Sequence, residues 1–390
     1  MPDPAQIDPV HFDADFLNDP VCAYARLREA GPVHRANSPD GASIWLVTRY
    51  AEVKAGLGDP RLSLDKANSS GGYHGLSLPP ALDRNLLNLD APEHTRLRRL
   101  LGRAFTPRRV EALRPEVARI ADELAAALPA EADLVAGYAV PLPIRVICAL
   151  LGVDPADVTD FRAWTDAVLM PTDPDAAREA MRSLYGYLAS LIAAKRAAPG
   201  DDLLSVVAPE LTDDELLSAA FLLLLAGYEN VVYTLGNGLV ELLARPSLCA
   251  SLVASPSLLA STVDEILRHA SPLQLAIRRF PVEDVVIGDV EIPAGDTVML
   301  AVASAHRDPS AFASPDTFDA NRGENPHVAF GHGPHFCLGA PLARLELEVG
   351  LGTLLRRFPR MSLAGAPRWR SSFRSRGTAT LPVILGGRER

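Results

Sequence analysis

Residues 330–339 read Phe-Gly-His-Gly-Pro-His-Phe-Cys-Leu-Gly and precede a stretch with helical periodicity that begins near Pro341. Glycines at 331, 333 and 339 permit sharp turns and let a flat ligand approach the backbone closely. A cysteine just before a helix N-terminus receives backbone N–H groups and the positive end of the helix dipole, and both stabilise a thiolate. The stretch therefore favours a ligand role for Cys337 over a structural cysteine in a glycine-rich turn.

The pattern FGxGxHxCxG in residues 330–339 resembles the haem-binding loop of the cytochrome P450 family, and the resemblance runs from about residue 15 to the C-terminus. It implies a mainly α (α+β) fold in which a large helical lobe and a small β-rich lobe enclose a buried haem b. Cys337 would be the proximal iron ligand, Phe330 would line the haem site and His335 would meet a haem carboxylate. A thiolate ligand pushes electron density onto iron and favours O–O cleavage, the chemistry of an oxygenase.

Further basic residues match family positions that bind the haem propionates. His94 and Arg98, in the stretch PEHTRLRR, share one helix face, and Arg279 matches another such position. Cations paired with buried carboxylates form strong charge-assisted hydrogen bonds. Each residue alone could be a solvated surface charge, but together with His335 we expect them to bind the propionates.

A second charged group matches a structural cluster of the family. Glu265-Ile-Leu-Arg268 resembles the ExxR motif on the helix behind the haem, and Arg322 fits the third member. An isolated i,i+3 pair would mean little, since such pairs are common on helix surfaces. The order of these residues relative to Cys337 implies that they lock the fold around the cysteine loop and take no part in the chemistry.

The stretch Ala226-Gly-Tyr-Glu-Asn230 matches the part of the family's long helix that crosses the distal haem face. Ala226 and Gly227 would leave a groove for dioxygen, and Glu229 would be the acid of the proton network. Asn230 replaces the family's alcohol, and an amide can hold a water but is a poor proton relay. Asn230 could order a water chain, a substrate hydroxyl could complete the relay, or the enzyme could perform one-electron oxidation such as phenol coupling. We rank the water- or substrate-assisted monooxygenase first.

Helical periodicity dominates the chain. Thr212-Asp-Asp-Glu215 is a capping box that opens a helix to about Ala244, where Pro246 stops it. The other predicted helices span residues 115–128, 157–170, 176–198 and 256–269. Strand signals are confined to residues 43–48 and to short runs within 276–302. Because strands and helices do not alternate, the pattern predicts a mainly helical single domain over residues 1–390.

The composition disfavours several functional classes. The chain has 390 residues, 48% of them apolar, and a net charge of −10, which suits a large core and makes general nucleic-acid binding unexpected. The N-terminus lacks the features of a signal peptide, and the apolar run at 219–227 is shorter than the ~20 residues of a bilayer span. We expect a soluble, cytoplasmic protein without a membrane partner. Cys148 and Cys249 lie in apolar helical contexts and are expected to be inert packing residues.

The loop at residues 66–87 is irregular and rich in Gly, Ser and Pro, as in mobile loops that cover binding sites. By resemblance it would cover the haem pocket. The family implies further walls at Leu222, Leu223, Leu273 to Ile277 and Phe373 to Ser375. Arg374 is unusual in such a place. It is either a surface arginine or a residue that recognises a substrate carboxylate or another polar group.

Five arginines concentrate positive charge within this acidic protein. We expect them on a helix that carries Arg96, Arg99 and Arg103 and continues to Arg108 and Arg109. Near the thiolate side of the haem, such a patch would attract an acidic ferredoxin, and the attraction would weaken in salt. No flavin or nicotinamide domain fits in the chain, so no fused reductase is expected. Electrons would come from NAD(P)H through an external ferredoxin and its reductase.

The residues and the resemblance together predict a ferredoxin-supported monooxygenase that hydroxylates or epoxidises a small or medium-sized organic molecule, an intermediate of secondary metabolism. Three alternatives stay open on the sequence: an oxidative coupling enzyme, a peroxide-using enzyme, and a non-catalytic auxiliary protein of the same fold. The complete cysteine loop counts against the last of these.

Overall fold

The computed structural model of the protein describes residues 9–74, 78–169 and 173–386. Helices make up most of it. Their bounds are α1 Ala14–Asn18, α2 Pro20–Ala30, α3 Tyr50–Gly58, α4 Pro80–Asp83, α5 Glu93–Leu101, α6 Pro107–Ala112, α7 Arg114–Ala127, α8 Pro141–Leu151, α9 Val158–Leu169, α10 Pro174–Ala197, α11 Leu203–Val207, α12 Asp213–Leu243, α13 Pro246–Ala254, α14 Leu259–His269, α15 Val302–Ala305 and α16 Ala340–Arg357.

The strands are short and form small sheets. Their bounds are β1 Val10–His11, β2 Val33–Asn37, β3 Ser43–Val47, β4 Leu62–Ser63, β5 Glu131–Asp133, β6 Phe280–Pro281, β7 Val285–Ile287, β8 Val290–Ile292, β9 Thr297–Leu300, β10 Ser362–Leu363, β11 Arg368–Ser371, β12 Arg376–Thr380 and β13 Pro382–Ile384. The largest sheet has the order β1-β2-β3-β9, and β3 pairs in parallel with β9. The chain's start is thereby joined to the segment that carries Arg279, whose backbone bonds to Val298.

The long helix α12 is the axis of the helical core. Thr212 accepts from the Glu215 N–H while the Glu215 carboxylate accepts from the Thr212 N–H, so the predicted capping box is present. Among the described residues, α12 is the single unbroken helix long and apolar enough to span a membrane, and 67% of its most apolar window is buried in the protein. Its length therefore serves the core, where it contacts α4, α8, α10 and α16.

Most predicted helices differ from the structure by one or two residues at their ends. α7, α10 and α12 agree in this way, and α9 ends at Leu169 while the predicted end, Met170, lies outside the described residues. The segment predicted as a helix from Pro256 instead opens with a 3-10 turn at Pro256–Leu258. The α-helix proper begins only at Leu259.

The prediction of a single basic helix over residues 96–109 was wrong. α5 ends at Leu101, and a second helix, α6, begins at Pro107. Proline has no N–H and its ring clashes with the preceding turn, so it cannot continue a helix but is well suited to start one. Arg103 consequently lies in the connection between two helices.

The segment at residues 66–87 is less irregular than expected. It contains a 3-10 turn at Lys66–Asn68 and the short helix α4, and Lys66 forms an ion pair with Asp83 at 2.5 Å. Residues 75–77 of this predicted lid lie outside the described residues. The two helical turns thus anchor both ends of the segment to each other.

Candidate functional site

The cysteine loop is a tight turn closed by its own backbone. Gly331 and Gly333 have φ values of 75° and 73°, a left-handed conformation that favours glycine. The Gly331 N–H donates to the Val328 carbonyl at 2.9 Å, and the Cys337 N–H donates to the Phe330 carbonyl at 2.8 Å. A Cβ at Gly333 would lie 2.7 Å from the Gly58 Cα. The loop therefore holds Cys337 at a fixed place three residues before α16.

Cys337 is accessible although the protein surrounds it closely. Its side chain is exposed, yet protein atoms surround it closely enough for burial to be the largest influence on its pKa. Burial raises the pKa of the thiol, while the N–H groups of Gly339 and Ala340 and the cation Arg98 act in the opposite direction and are outweighed. The predicted help from the helix N-terminus is present, but the pKa of the thiol is raised. Metal binding, which displaces the thiol proton, would complete the thiolate.

The buried helix α12 also exposes part of one face. Ala226 and Asn230 are exposed and lie one turn apart, whereas Leu224, Tyr228 and Val231 are buried around them. Side chains four residues apart share a helix face. Exposure in the middle of a core helix indicates that neighbouring elements do not pack against this part of the face.

The Asn230 side chain is held by its own helix. Its Nδ2 donates to the Ala226 carbonyl at 3.2 Å, a backbone contact that Ser and Thr side chains also make in helices. Its Oδ1 accepts no hydrogen bond from the described part of the chain. A Cβ at Gly227 would lie 3.2 Å from Ile147, so this glycine allows α12 to approach α8.

Glu229 is half-buried next to Asn230 and lies beside Tyr233. Burial, followed by the Glu229 carboxylate, raises the pKa of Tyr233 to about 12, and Arg370 partly opposes this. Glu229 thus has the Tyr233 phenol close to it, and Tyr233 in turn lies near the Arg370 guanidinium.

The four residues expected to bind carboxylates form one basic cluster, in which His94 and Arg279 are buried and Arg98 and His335 are half-buried. The rings of His94 and His335 stack with centroids 3.9 Å apart, and His335 Nδ1 bonds to the Leu86 carbonyl at 3.2 Å. Burial, His94 and Arg279 together lower the pKa of His335 to about 4. Burial and Arg98 lower the pKa of His94. The positive charges of this cluster therefore disfavour protonation of both rings, and Asp90 only partly opposes them.

This basic cluster has unused donors. His94 is 2% exposed, and its Nε2 has no hydrogen-bond partner among the described residues. The same holds for Nε of Arg279, whose terminal nitrogens donate to the Leu57 and Leu62 carbonyls at 3.2 Å. Burial lowers the pKa of Arg279 to about 10. Arg98 donates to the Phe336 carbonyl at 2.5 Å, which ties the cluster to the cysteine loop. The unused donors fit the carboxylates of a haem.

The expected structural cluster is present, with Glu265 and Arg268 fully buried and Arg322 half-buried. Arg268 donates to both Glu265 oxygens at 2.7 and 2.8 Å, and Arg322 donates to Glu265 at 3.1 Å. The Asp319 N–H adds a further bond to Glu265 at 2.8 Å. Burial would raise the pKa of Glu265, but these donors outweigh it and lower the pKa. Arg268 also donates to the carbonyls of residues 306, 315 and 317.

The expected pocket walls differ in exposure. Leu222 is buried, whereas Leu223, Leu273, Ile277, Phe373 and Arg374 are half-buried. Phe373 packs on Phe12 with ring centroids 5.7 Å apart. Sequence reasoning missed Arg278, which is 2% exposed and forms an ion pair with Asp40. The adjacent arginines in AIRRF were the available signal, since neighbouring residues of an extended segment face opposite sides.

The five arginines of the basic patch are exposed. Arg96 pairs with Glu215 and Arg103 pairs with Glu210. Among the described residues, Arg99, Arg108 and Arg109 have no ion-pair partner. These three retain their charge for a partner.

Comparisons with known proteins agree with this site. Residues 182–369 match the family model described as Cytochrome P450. The chain is 45% identical to the cytochrome P450 monooxygenase PikC of Streptomyces venezuelae, over 97% of this chain and 94% of PikC. It is 42% identical to the mycinamicin IV hydroxylase/epoxidase of Micromonospora griseorubida, over 93% and 94% of the two chains. The structure of the ligand-free P450 monooxygenase TamI superposes with a TM-score of 0.91 at 45% identity, over 97% and 94% of the two chains.

Proposed function

This chain belongs to the cytochrome P450 family, and we propose that it is a haem-dependent monooxygenase that hydroxylates or epoxidises an intermediate of secondary metabolism. The observation that carries the proposal is Cys337, which the loop fixes before α16 and leaves accessible, next to a basic cluster with unused donors. When bound, haem b supplied with electrons from NAD(P)H activates dioxygen for insertion into a substrate.

We assign the haem contacts by position. Cys337 would ligate the iron, with the N–H groups of Gly339 and Ala340 stabilising the sulfur charge. His94, Arg98, Arg279 and His335 would bind the carboxylates. Carboxylates bound to the unused donors would stabilise the positive charges of these four basic residues.

On the distal side, α12 would control access and protons. Ala226 leaves room above the exposed face of the helix, and Asn230 presents Oδ1 to a water or a substrate hydroxyl. Glu229 would supply the proton that such a water or hydroxyl passes on. The substrate would lie against Leu222, Leu223, Leu273, Ile277 and Phe373, which offer an apolar surface.

A second candidate is oxidative coupling, which needs no oxygen insertion. The specific observation in its favour is Asn230, because an amide in place of an alcohol is a poor proton relay. The two candidates differ in whether the product gains an oxygen atom.

Isotopically labelled dioxygen separates them. Mycinamicin IV and tirandamycin C, which are named with two relatives, would be screened first for displacement of the distal water by the change in haem absorption. Turnover of a bound compound should then place one labelled oxygen atom in each product molecule. Dimeric products without label would favour coupling, and turnover with hydrogen peroxide but not with reduced ferredoxin would favour a peroxide-using enzyme.

We further propose that the protein works in the cytoplasm and takes electrons from a ferredoxin through Arg99, Arg108 and Arg109. Reversing these three charges to Glu should slow reduction at low salt, with the difference shrinking as salt rises. Arg178→Glu in the first turns of α10, also exposed, is the control. Reduction that is indifferent to ionic strength in the wild type would contradict this docking surface.

A further inference from the structure

Arg374 stands on a fixed turn beside the long helix. Residues 372–375 connect β11 to β12, and the Gln274 N–H donates to the Arg374 carbonyl at 2.9 Å. β12 lies against α12, where Gly377 packs directly on the Tyr233 ring. The Arg374 guanidinium has no hydrogen-bond partner within the described part of the chain, although the residue is half-buried.

Arg278 brings a second guanidinium towards the same place. Its Nη2 donates to Asp40, but its buried Nε and Nη1 have no partner among residues 9–74, 78–169 and 173–386. The neighbouring Arg279 turns towards Leu57, Leu62 and the propionate cluster. Because adjacent side chains of an extended segment face opposite sides, Arg278 is not part of that cluster.

Tyr73 connects Arg278 to the segment over the pocket. The Arg278 Cζ lies 5.9 Å from the centre of the Tyr73 ring, and that ring packs edge-on against Phe280. Tyr73 belongs to the segment at residues 66–87 that is expected to cover the substrate. Arg278 therefore lies at the boundary between the β-rich lobe and the substrate lid.

The two guanidiniums are close enough to repel each other. Burial lowers the pKa of Arg374 first, and Arg278 lowers it further. Tyr73, Asp40 and Glu229 act in the opposite direction, with Glu229 the weakest of the three. Asp40 is already ion-paired with Arg278 and also accepts from Ser38. The pair of arginines thus has one bound carboxylate and buried N–H groups to spare, an arrangement that is unfavourable without an anion.

We infer that the substrate carries a carboxylate or an equally acidic oxyanion, which Arg374 binds through its two-pronged guanidinium while Arg278 supplies a second positive charge. The inference rests on the proposed function, since it assigns the class of molecule that the monooxygenase site accepts. A planar guanidinium suits such an anion because it can donate two parallel hydrogen bonds. The anion would sit away from the reacting carbon and orient it.

The test uses probes that bind the haem whatever their tail. Imidazole-terminated alkanoic acids of increasing chain length would be titrated into the haem-loaded protein, each beside its methyl ester, and binding read from the absorption change of imidazole ligation. At a chain length that reaches Arg374, the acid should bind about tenfold or more tightly than the ester. Arg374→Leu should remove this preference and Arg374→Lys should keep part of it. Arg368→Leu, on the same hairpin, is the control and should leave the preference intact.

Equal affinity of acid and ester at every length would overturn the inference, as would a preference that survives in Arg374→Leu. Either result would leave the proposed function standing, because the imidazole would still have ligated the haem. Absence of a haem that binds imidazole would instead remove the proposed function itself. Arg278→Gln gives an independent check, with a smaller loss of the acid preference expected.

Discussion

Two clusters of charged and basic residues in this protein differ in whether protein groups satisfy their hydrogen-bonding atoms. The cluster around Glu265 pairs one carboxylate with Arg268 and Arg322 and directs the remaining donors to backbone carbonyls. The cluster around His94 contains basic groups that disfavour one another's protonation, and it leaves a buried ring nitrogen of His94 and a buried N–H of Arg279 unused. A cluster whose polar atoms all have protein partners needs no ligand. A cluster that leaves buried polar atoms without partners favours binding of a ligand that supplies them.

The largest expected effect is the loss of Glu265. Glu265→Ala would leave two buried guanidiniums without their carboxylate, so the free energy of unfolding should fall by about 3–5 kcal/mol even without haem. Chemical denaturation of the haem-free protein measures this. Glu179→Ala, which breaks an exposed pair with Arg182, should change it by at most about 1 kcal/mol. An equal, small effect of both variants would contradict the structural role.

His94→Leu, in contrast, should not destabilise the haem-free protein. It removes a buried nitrogen that has no protein partner, so the haem-free protein should be as stable as the wild type or more so. The haem should leave about tenfold faster, since a bond to a propionate is lost. Transfer of haem to an excess of apomyoglobin measures the rate, with the exposed Arg99→Leu on the same helix as control. Unchanged haem loss would place the propionates elsewhere.

The basic cluster should also make the stability of the haem-free protein depend on pH. The pKa of His335 is lowered to about 4, below its ordinary value of about 6.5. Between these values the unfolded chain binds a proton that the folded chain does not, so stability falls as the pH falls from about 6.5 towards about 4. Thermal unfolding of the haem-free protein across this range should show the loss, and His335→Gln should reduce it. Bound haem should also reduce it, because the propionates favour the protonated ring. A slope unaffected by either change would contradict the assignment.

The smallest effect concerns Asn230, which is half-satisfied. Its Nδ2 bonds to Ala226 and its Oδ1 is unused. A threonine hydroxyl can make the same backbone bond and also relay a proton, so Asn230→Thr should raise the fraction of NAD(P)H electrons recovered in product by about twofold. That is far below the ~100-fold or more of full acid–base catalysis. Asn230→Val tests the bond without the relay. Unchanged coupling and product ratio in Asn230→Thr would mean that position 230 does not control protons.

Local signals in the sequence were enough to predict much of the cysteine loop and of the helix boundaries. The Cys337 loop and the Thr212–Glu215 capping box depend on neighbours in the chain, and the structure contains both. The helix break before Pro107 also depends on a local signal, although a continuous helix was predicted there. The family supplied the places of His94 and Arg279, while their unused nitrogens emerged only from packing.

What depended on distant parts of the chain could not be predicted. The pKa of Cys337 is raised because burial by the folded protein outweighs the adjacent N–H groups. Which side Arg278 faces depends on the pairing of its neighbour with Val298. The partners of Arg96 and Arg103 lie more than 100 residues away at Glu215 and Glu210, so the number of free charges in the basic patch was also hidden.

The central claim is that Cys337 ligates a haem iron as a thiolate. The most direct measurement is the absorption difference spectrum of the reduced, carbon monoxide-bound protein, recorded for wild type and for Cys337→Ala. We predict the strongly red-shifted band of thiolate-ligated haem in the wild type and its loss in the variant. A band typical of histidine-ligated haem in the wild type, or a red-shifted band that persists without Cys337, would contradict the account.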